Sequence, residues 1–333
     1  MGIAKVWDGS QWVVALLKTY TGSAWTDGRT HFWDGDNQIT LYGGDNLGSN
    51  WPAPNAFTLT TTWTDAGSDL DGLLDVMATR KWHSFGWSGD GVHVIYGNSS
   101  DDNRYTATCS TPWDPSTATP SGSVFLKATA PGQNPHNLHF ILGGLTFCEV
   151  SSNDTYRTYT LATPYLMLAD PTPVSSDASE FELFGASDTS DPEFSILEDG
   201  SYAVGFHEIS NLNRLSIIPL GVALLDTIGA RITYDIETNL GYSSNPNSGA
   251  SSILLSPDGT TVYHLTGTKP ATVSRFVMST PFDPTTATWD SGEDLTVGLV
   301  DGATNMSISA DGQTLMFSDL GLGADCLIMR FDA

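Results

Sequence analysis

One dipeptide recurs along this chain at nearly constant intervals and restricts the fold more than any other feature. In chain order, Asp34-Gly35, Asp90-Gly91, Gly143-Gly144, Asp199-Gly200, Asp258-Gly259 and Asp311-Gly312 stand 56, 53, 56, 59 and 53 residues apart. Asp-Gly between two apolar runs is a strong hairpin signal, because the turn needs residues that accept positive φ. The stretch from Ser251 to Trp289 shows the unit most clearly. Ile253 to Leu255, the turn Ser256-Pro257-Asp258-Gly259 and Thr261 to Thr266 form a hairpin, and a third run, Val273 to Met278, leads into Thr280-Pro281-Phe282-Asp283-Pro284. Two prolines there end ladder donation and turn the chain.

The corner repeats as well. Ser110 to Thr119 reads STPWDPSTAT and Ser279 to Thr288 reads STPFDPTTAT, identical at eight of ten positions. Looser versions occur at Thr61-Thr62-Trp63, Thr163-Pro164-Tyr165 and Pro219-Leu220. Self-similarity at this period, with about four strands per unit, predicts an all-β chain folded as a β-propeller. Six anchors predict six four-stranded blades, at 29 to 80, 81 to 130, 131 to 190, 191 to 245, 246 to 300 and 301 to 333. The last of these has three strands only. A fourth must come from elsewhere, and Trp12 to Leu17 is the expected donor, which would close the ring and remove an exposed edge. Seven blades, or two packed β-sandwiches, are the structural alternatives. Residues 1 to 28, with Trp7-Asp8-Gly9-Ser10-Gln11-Trp12 and Tyr20-Thr21-Gly22-Ser23-Ala24-Trp25, read as an N-terminal module or closing strand, and 29 to 333 as the propeller.

Charge narrows the partners. The 333 residues carry a formal charge of −25, so no basic stripe exists to displace counterions from nucleic acid, and an anionic membrane is disfavoured for the same reason. Of the 38 acidic residues 30 are Asp, which favours turns over helices. Cys109, Cys148 and Cys326 are odd in number and far apart, and read as buried thiols rather than a disulfide framework. No run approaches the roughly 18 apolar residues of a membrane span, and the opening residues lack a secretory h-region, so assembly in a cytoplasm is expected.

The turns Ser88-Gly89-Asp90-Gly91, Ser256-Pro257-Asp258-Gly259 and Ser309-Ala310-Asp311-Gly312 resemble the Ser-x-Asp-Gly hairpins of Tol-type propeller repeats. The STPWD-type corners, and the aromatic-x-Gly-Ser-x-Trp phrases of residues 1 to 28, are similar to repeats in tail and fibre proteins of tailed bacteriophages. That resemblance implies a non-enzymatic virion component assembled in the host cytoplasm. Its partners would be other tail proteins, further copies of itself, and a glycan or protein on the host surface.

Motifs for chemistry are few. Asp and Gly are adjacent at five of the six anchors and the third is Gly-Gly, so the sialidase Asp box is absent; so are the Gly-x-Ser-x-Gly elbow and the phosphate loop. Glu180, Glu182, Glu193 and Glu208 are carboxylates available for acid/base work across a funnel, which keeps a carbohydrate-active propeller as an alternative beside a cell-surface binding propeller. Asp34, Asp36, Asp65, Asp69 and Asp71 gather hard oxygen ligands in loops, the chemistry of calcium, although Asp and Gly also simply make turns. Trp51, Trp63 and Trp113 lie beside loops and are the candidate platforms for stacking a sugar or touching a receptor.

Overall fold

The Ser-x-Asp-Gly turns form because each turn's own side chains satisfy its backbone. Ser88 Oγ donates to Asp90 Oδ1 (2.6 Å), the same Oδ1 accepts the Val92 amide (3.0 Å), and the Gly91 amide donates to Ser88 O (2.8 Å). Gly91 sits at φ +72°, where glycine carries no Cβ penalty. The bonds repeat at Ser256/Asp258 and Ser309/Asp311. The local sequence therefore specifies the turn from its own side chains.

The computed structural model describes residues 51–64, 82–98, 103–125, 135–151, 155–167, 172–173, 181–182, 193–209, 212–220, 230–242, 251–266, 272–294, 303–320 and 326–333, together with six short N-terminal strands. The chain divides into two units, Met1–Leu47 and Gly48–Ala333. The first contains three hairpins: β1 (Ala4–Trp7) with β2 (Trp12–Ala15), β3 (Thr19–Tyr20) with β4 (Trp25–Thr26), and β5 (Thr30–Trp33) with β6 (Gln38–Leu41).

The second unit is a β-propeller. Leaving β7 (Thr58–Thr64) aside for the moment, the first blade is β8 (Trp82–Trp87), β9 (His93–Asn98), β10 (Asn103–Cys109) and β11 (Ala118–Phe125), an antiparallel meander. The second is β12 (Pro135–Ile141), β13 (Thr146–Ser151) and β14 (Thr155–Thr160). Its outer edge is made of two short pieces, β15 (Thr172–Pro173) and β16 (Phe181–Glu182), which pair with opposite ends of β14. The third is β17 (Glu193–Ile196), β18 (Tyr202–Ile209), β19 (Leu212–Pro219) and β20 (Ile232–Asp235); the fourth is β21 (Ser251–Leu255), β22 (Thr261–Thr266), β23 (Thr272–Met278) and β24 (Ala287–Asp294). The fifth is β25 (Ala303–Ile308), β26 (Thr314–Leu320), β27 (Cys326–Asp332) and, as its outer strand, β7.

The ring thus has five blades, not six. Asp34-Gly35 has the right spacing, but it lies in the β5–β6 connection of the N-terminal unit, where Trp33 pairs with Gln38. The closing strand is also different from expectation. Trp12–Ala15 pairs with β1, whereas β27 is paired by β7, with Ile328 opposite Trp63 and Asp332 opposite Thr58. Residues 58–64 thereby complete the fifth blade instead of belonging to a blade of their own.

Inner strands touch in the cyclic order β8, β12, β17, β21, β25 and back to β8. Blades meet through apolar faces: Phe85, Trp87 and Val94 cluster with Met316 of the fifth blade, and Leu254 and Tyr263 of the fourth with Leu315 and Phe317 of the fifth. A buried ion pair crosses between the first two blades. Arg104 Nε and Nη2 donate to the two carboxylate oxygens of Glu149 at 2.7 and 2.8 Å, with both side chains 3% exposed.

A short helix, α1 (Ile236–Leu240), follows β20; Asp235 caps it by accepting the Thr238 amide, and Gly241 at φ +69° ends it. No helix among the described residues is long and apolar enough to cross a membrane.

Candidate functional site

In a meander blade the turn between strands one and two and the corner between strands three and four share one end, and here each aromatic corner folds onto its glycine turn. The Trp113, Tyr165 and Phe282 amides donate to Gly91, Gly144 and Gly259 carbonyls at 2.9, 2.8 and 2.8 Å. All three aromatic residues stand at φ near +60° (60°, 60° and 62°), a conformation costing about 1–2 kcal/mol for a residue with a Cβ. The amide bond and the burial of the ring offset that cost. A Cβ on Gly91, Gly144 or Gly259 would lie 2.3 to 2.5 Å from the ring atoms above it, so the glycine is required twice, for its φ and for the close approach.

Trp51 completes the set. A Cβ on Gly312 would stand 2.3 Å from its ring, so Trp51 occupies for the fifth blade the place Trp113 occupies in the first. Trp51 is 2% exposed and Trp113 6%. Trp51 packs on Tyr263 at 5.0 Å, Trp113 stacks on Trp87 at 5.5 Å, and the Tyr263 hydroxyl donates to Pro52 O. Neither indole face is open to a sugar; both are corner plugs, because the glycine beneath each leaves a ring-shaped gap that an aromatic fills. Trp63 lies on β7, and its side chain falls outside the described residues. Asp34, Asp36, Asp65, Asp69 and Asp71 also lie outside them, as do Glu180 and the side chains of Glu182, Glu193 and Glu208.

The turn end of the ring brings together a group that the motif search did not single out. The second position of each tip is Gly89, Leu142, Glu198, Pro257 and Ala310 in blade order. Backbone bonds join tips of different blades: the Leu142 amide donates to Glu198 O at 2.6 Å and the Ala310 amide to Gly89 O at 2.9 Å. Glu198 is the one ionisable residue of the five. Its Oε1 accepts from the Tyr165 hydroxyl at 3.2 Å, and its carboxylate accepts the Gly89 amide. A side chain from the third blade therefore reaches the second and the first, bracing the end of the hub. Gly89 makes room for it, since a Cβ there would come within 2.8 Å of Oε2.

Burial pushes the Glu198 carboxyl above its ordinary range, and Asp90 and Asp199 add repulsion, while the Tyr165 and Gly89 bonds pull the other way. Tyr165 in turn lies flat on His93, with ring centroids 4.4 Å apart and planes at 3°. Burial lowers the His93 imidazole below its ordinary value, against the attraction of Asp90. The cluster is thus a carboxyl biased to hold its proton, a phenol and an imidazole biased to lose one. Alignment of the tips with one another would have found it, because Glu198 is the only charged residue in its column.

Because the folded value is raised, the stabilisation from this site is fully present below the unfolded value, near 4.5, and is lost as pH rises through the folded one. Glu198→Gln keeps an acceptor for Gly89 and removes the titration. Its melting temperature is expected to match the parent near pH 4 and to exceed it at pH 7 to 8. An offset that stays constant across that range in thermal melts would refute the assignment.

The cysteines are of a different kind. Cys109 and Cys148 are buried and free, with burial pushing the first thiol up to about 12 and the second well above its usual range, so neither supplies a thiolate.

No family model matches the chain, and no curated protein matches it. Solved structures do. A candidate 6-phosphogluconolactonase from Bacteroides uniformis matches 69% of this chain and 61% of its own at 15% identity and a TM-score of 0.41. Hydrazine synthase of Kuenenia stuttgartiensis matches 72% and 80% at 11% identity and 0.45. A luciferin-regenerating enzyme matches 78% and 94% at 8% identity and 0.42. Likenesses this distant carry no inference about chemistry. The chain spans less than two thirds of the lactonase's own length.

Proposed function

We propose that the chain is a non-enzymatic display component of a tailed-bacteriophage virion, in the tail or its fibre, where a rigid ring presents loops to a host surface or to neighbouring subunits. The reading is supported by the likeness of its corners and N-terminal phrases to tail and fibre repeats. The observation that carries it is the seam. The strand that enters the propeller from the N-terminal unit is itself the outer strand of the last blade, β7 on β27. Pull applied through residues 1–47 is then borne by a full antiparallel ladder and its Trp51 plug, as attachment to a larger particle requires. Mass spectrometry of purified virions encoding this chain is expected to find it in stoichiometric amount; virions without it would refute the proposal.

A carbohydrate-active propeller is the second reading, and Glu198 is the observation in its favour, since burial raises its carboxyl above the ordinary range, the direction an acid catalyst needs. Host polysaccharide hydrolysis that Glu198→Gln abolishes would favour it over display.

A further inference from the structure

The turn end of the ring has a chemical character that its hairpin role does not demand. Asp90, Asp199 and Asp311 are exposed at three tips, Asp258 is half-buried at a fourth, and Asp114 and Asp283 lie in the corners beside them. Among the described residues of the tips 88–92, 142–145, 197–201, 256–260 and 309–313, and of the corners 51–57, 110–117, 162–166, 219–220, 230–231 and 279–286, Arg231, exposed just before β20, is the only lysine or arginine. Acids therefore outnumber cations on this face, and it is apolar at one place.

That place is the second blade. Where other tips carry Asp-Gly, this one reads Leu142-Gly143-Gly144-Leu145, and its leucines are 39% and 47% exposed. They are two of the few exposed large apolar side chains among the described residues. The adjoining corner adds exposed Ala162 and Pro164, held against the tip by the Leu161 amide donating to Leu145 O and the Tyr165 amide to Gly144 O, both at 2.8 Å. Leu142 is also strained, at φ +53°, where a branched apolar residue is rare. Its amide is held there by Glu198 O. Glycine would relieve that strain, so the turn's backbone does not call for a leucine.

We propose that this end of the propeller is a docking face for a basic protein segment, one that seats an apolar side chain on Leu142 and Leu145 and sets lysines or arginines against the surrounding aspartates. Charge complementarity selects this occupant: a chain of −25 whose tips and corners set six aspartates against the single cation Arg231 repels acidic partners and nucleic acid, and a second copy would bring the same aspartates against their own kind. The proposal deepens the display role by naming the face and the partner chemistry. It is tested on the purified chain in solution, so absence from virions and absence of binding are separate results.

The probe is a fluorescein-labelled amphipathic peptide of leucines and lysines, followed by anisotropy at low and high salt, with a leucine–glutamate peptide of equal length as comparison. The parent is expected to bind the cationic peptide, more weakly in salt, and the anionic one not at all. Leu142→Gly with Leu145→Ser removes two apolar contacts and should weaken binding by about tenfold or more. Asp199→Asn with Asp311→Asn keeps the turn acceptors and should lower both affinity and salt dependence, which preserves the test if the leucine variant folds poorly. Unchanged binding in both variants, or equal binding of the anionic peptide, overturns the proposal. A self-associated species lost in the leucine variant would assign the face to a second copy and overturn it as well.

Discussion

Replacing Glu149 with alanine is expected to cost about 3–5 kcal/mol, because it leaves the Arg104 guanidinium buried without its bidentate partner. Urea unfolding gives the number directly. The pair joins β10 of the first blade to β13 of the second, so the loss falls on a blade interface rather than within a sheet. The reverse change, Arg104→Met, should be similarly damaging, since it strands a carboxylate. The double variant Arg104→Met, Glu149→Leu is expected to recover most of the loss, as apolar groups of similar volume avoid the desolvation that the ion pair suffers. If the double variant is as unstable as the sum of the singles, the pair contributes more than charge matching and this account of it fails.

Trp51→Ala should remove about 3–5 kcal/mol through the cavity it leaves over Gly312 and Tyr263. The more diagnostic effect is where the structure loosens. Trp113 plugs its own blade, 22 residues from Gly91, whereas Trp51 plugs a blade whose glycine is Gly312. Hydrogen exchange should therefore show faster exchange of Thr58–Thr64 and Cys326–Asp332 in Trp51→Ala, and no such opening at the seam in Trp113→Ala. Equal protection of the seam in the two variants would remove Trp51 from its role as the lock.

Hairpins and corners were legible because their chemistry is local. The eight identities between 110–119 and 279–288 reappear as the same hydrogen bonds: Thr111 and Thr280 amides to Thr117 and Thr286 hydroxyls, and Asp114 and Asp283 accepting from the residues two further on. Blade number was misread because the Asp34-Gly35 turn satisfies spacing alone, and spacing does not say which sheet a hairpin joins. The true closing strand carried a signal of its own. Trp51-Pro52-Ala53-Pro54 precedes β7 as Trp113-Asp114-Pro115 precedes β11 and Phe282-Asp283-Pro284 precedes β24, each with a 3-10 turn begun by the proline. A fourth strand brings its corner with it, and one added residue obscured the match.

The site was less legible for a related reason. Trp51 and Trp113 looked like platforms because they stand beside loops, yet a ring over a glycine is where a propeller hides an indole. Glu198 went unremarked, since acidic residues are common in turns and its contacts with Tyr165 and Gly89 exist only once tips of different blades converge.

The seam has a consequence for how the molecule is made. Thr60 bonds to Arg330 across a separation of 270 residues, so the segment synthesised early has no sheet to join until nearly all the rest of the propeller exists. Each other blade closes on contacts within about fifty residues and is free to form as it emerges, whereas the fifth pays a loop-closure entropy that the others escape. Ring closure is thus expected to be the slow step, later than formation of the other four blades. Until then Thr58–Thr64 is an orphan strand, with an edge that chaperones, or another nascent copy, could occupy first.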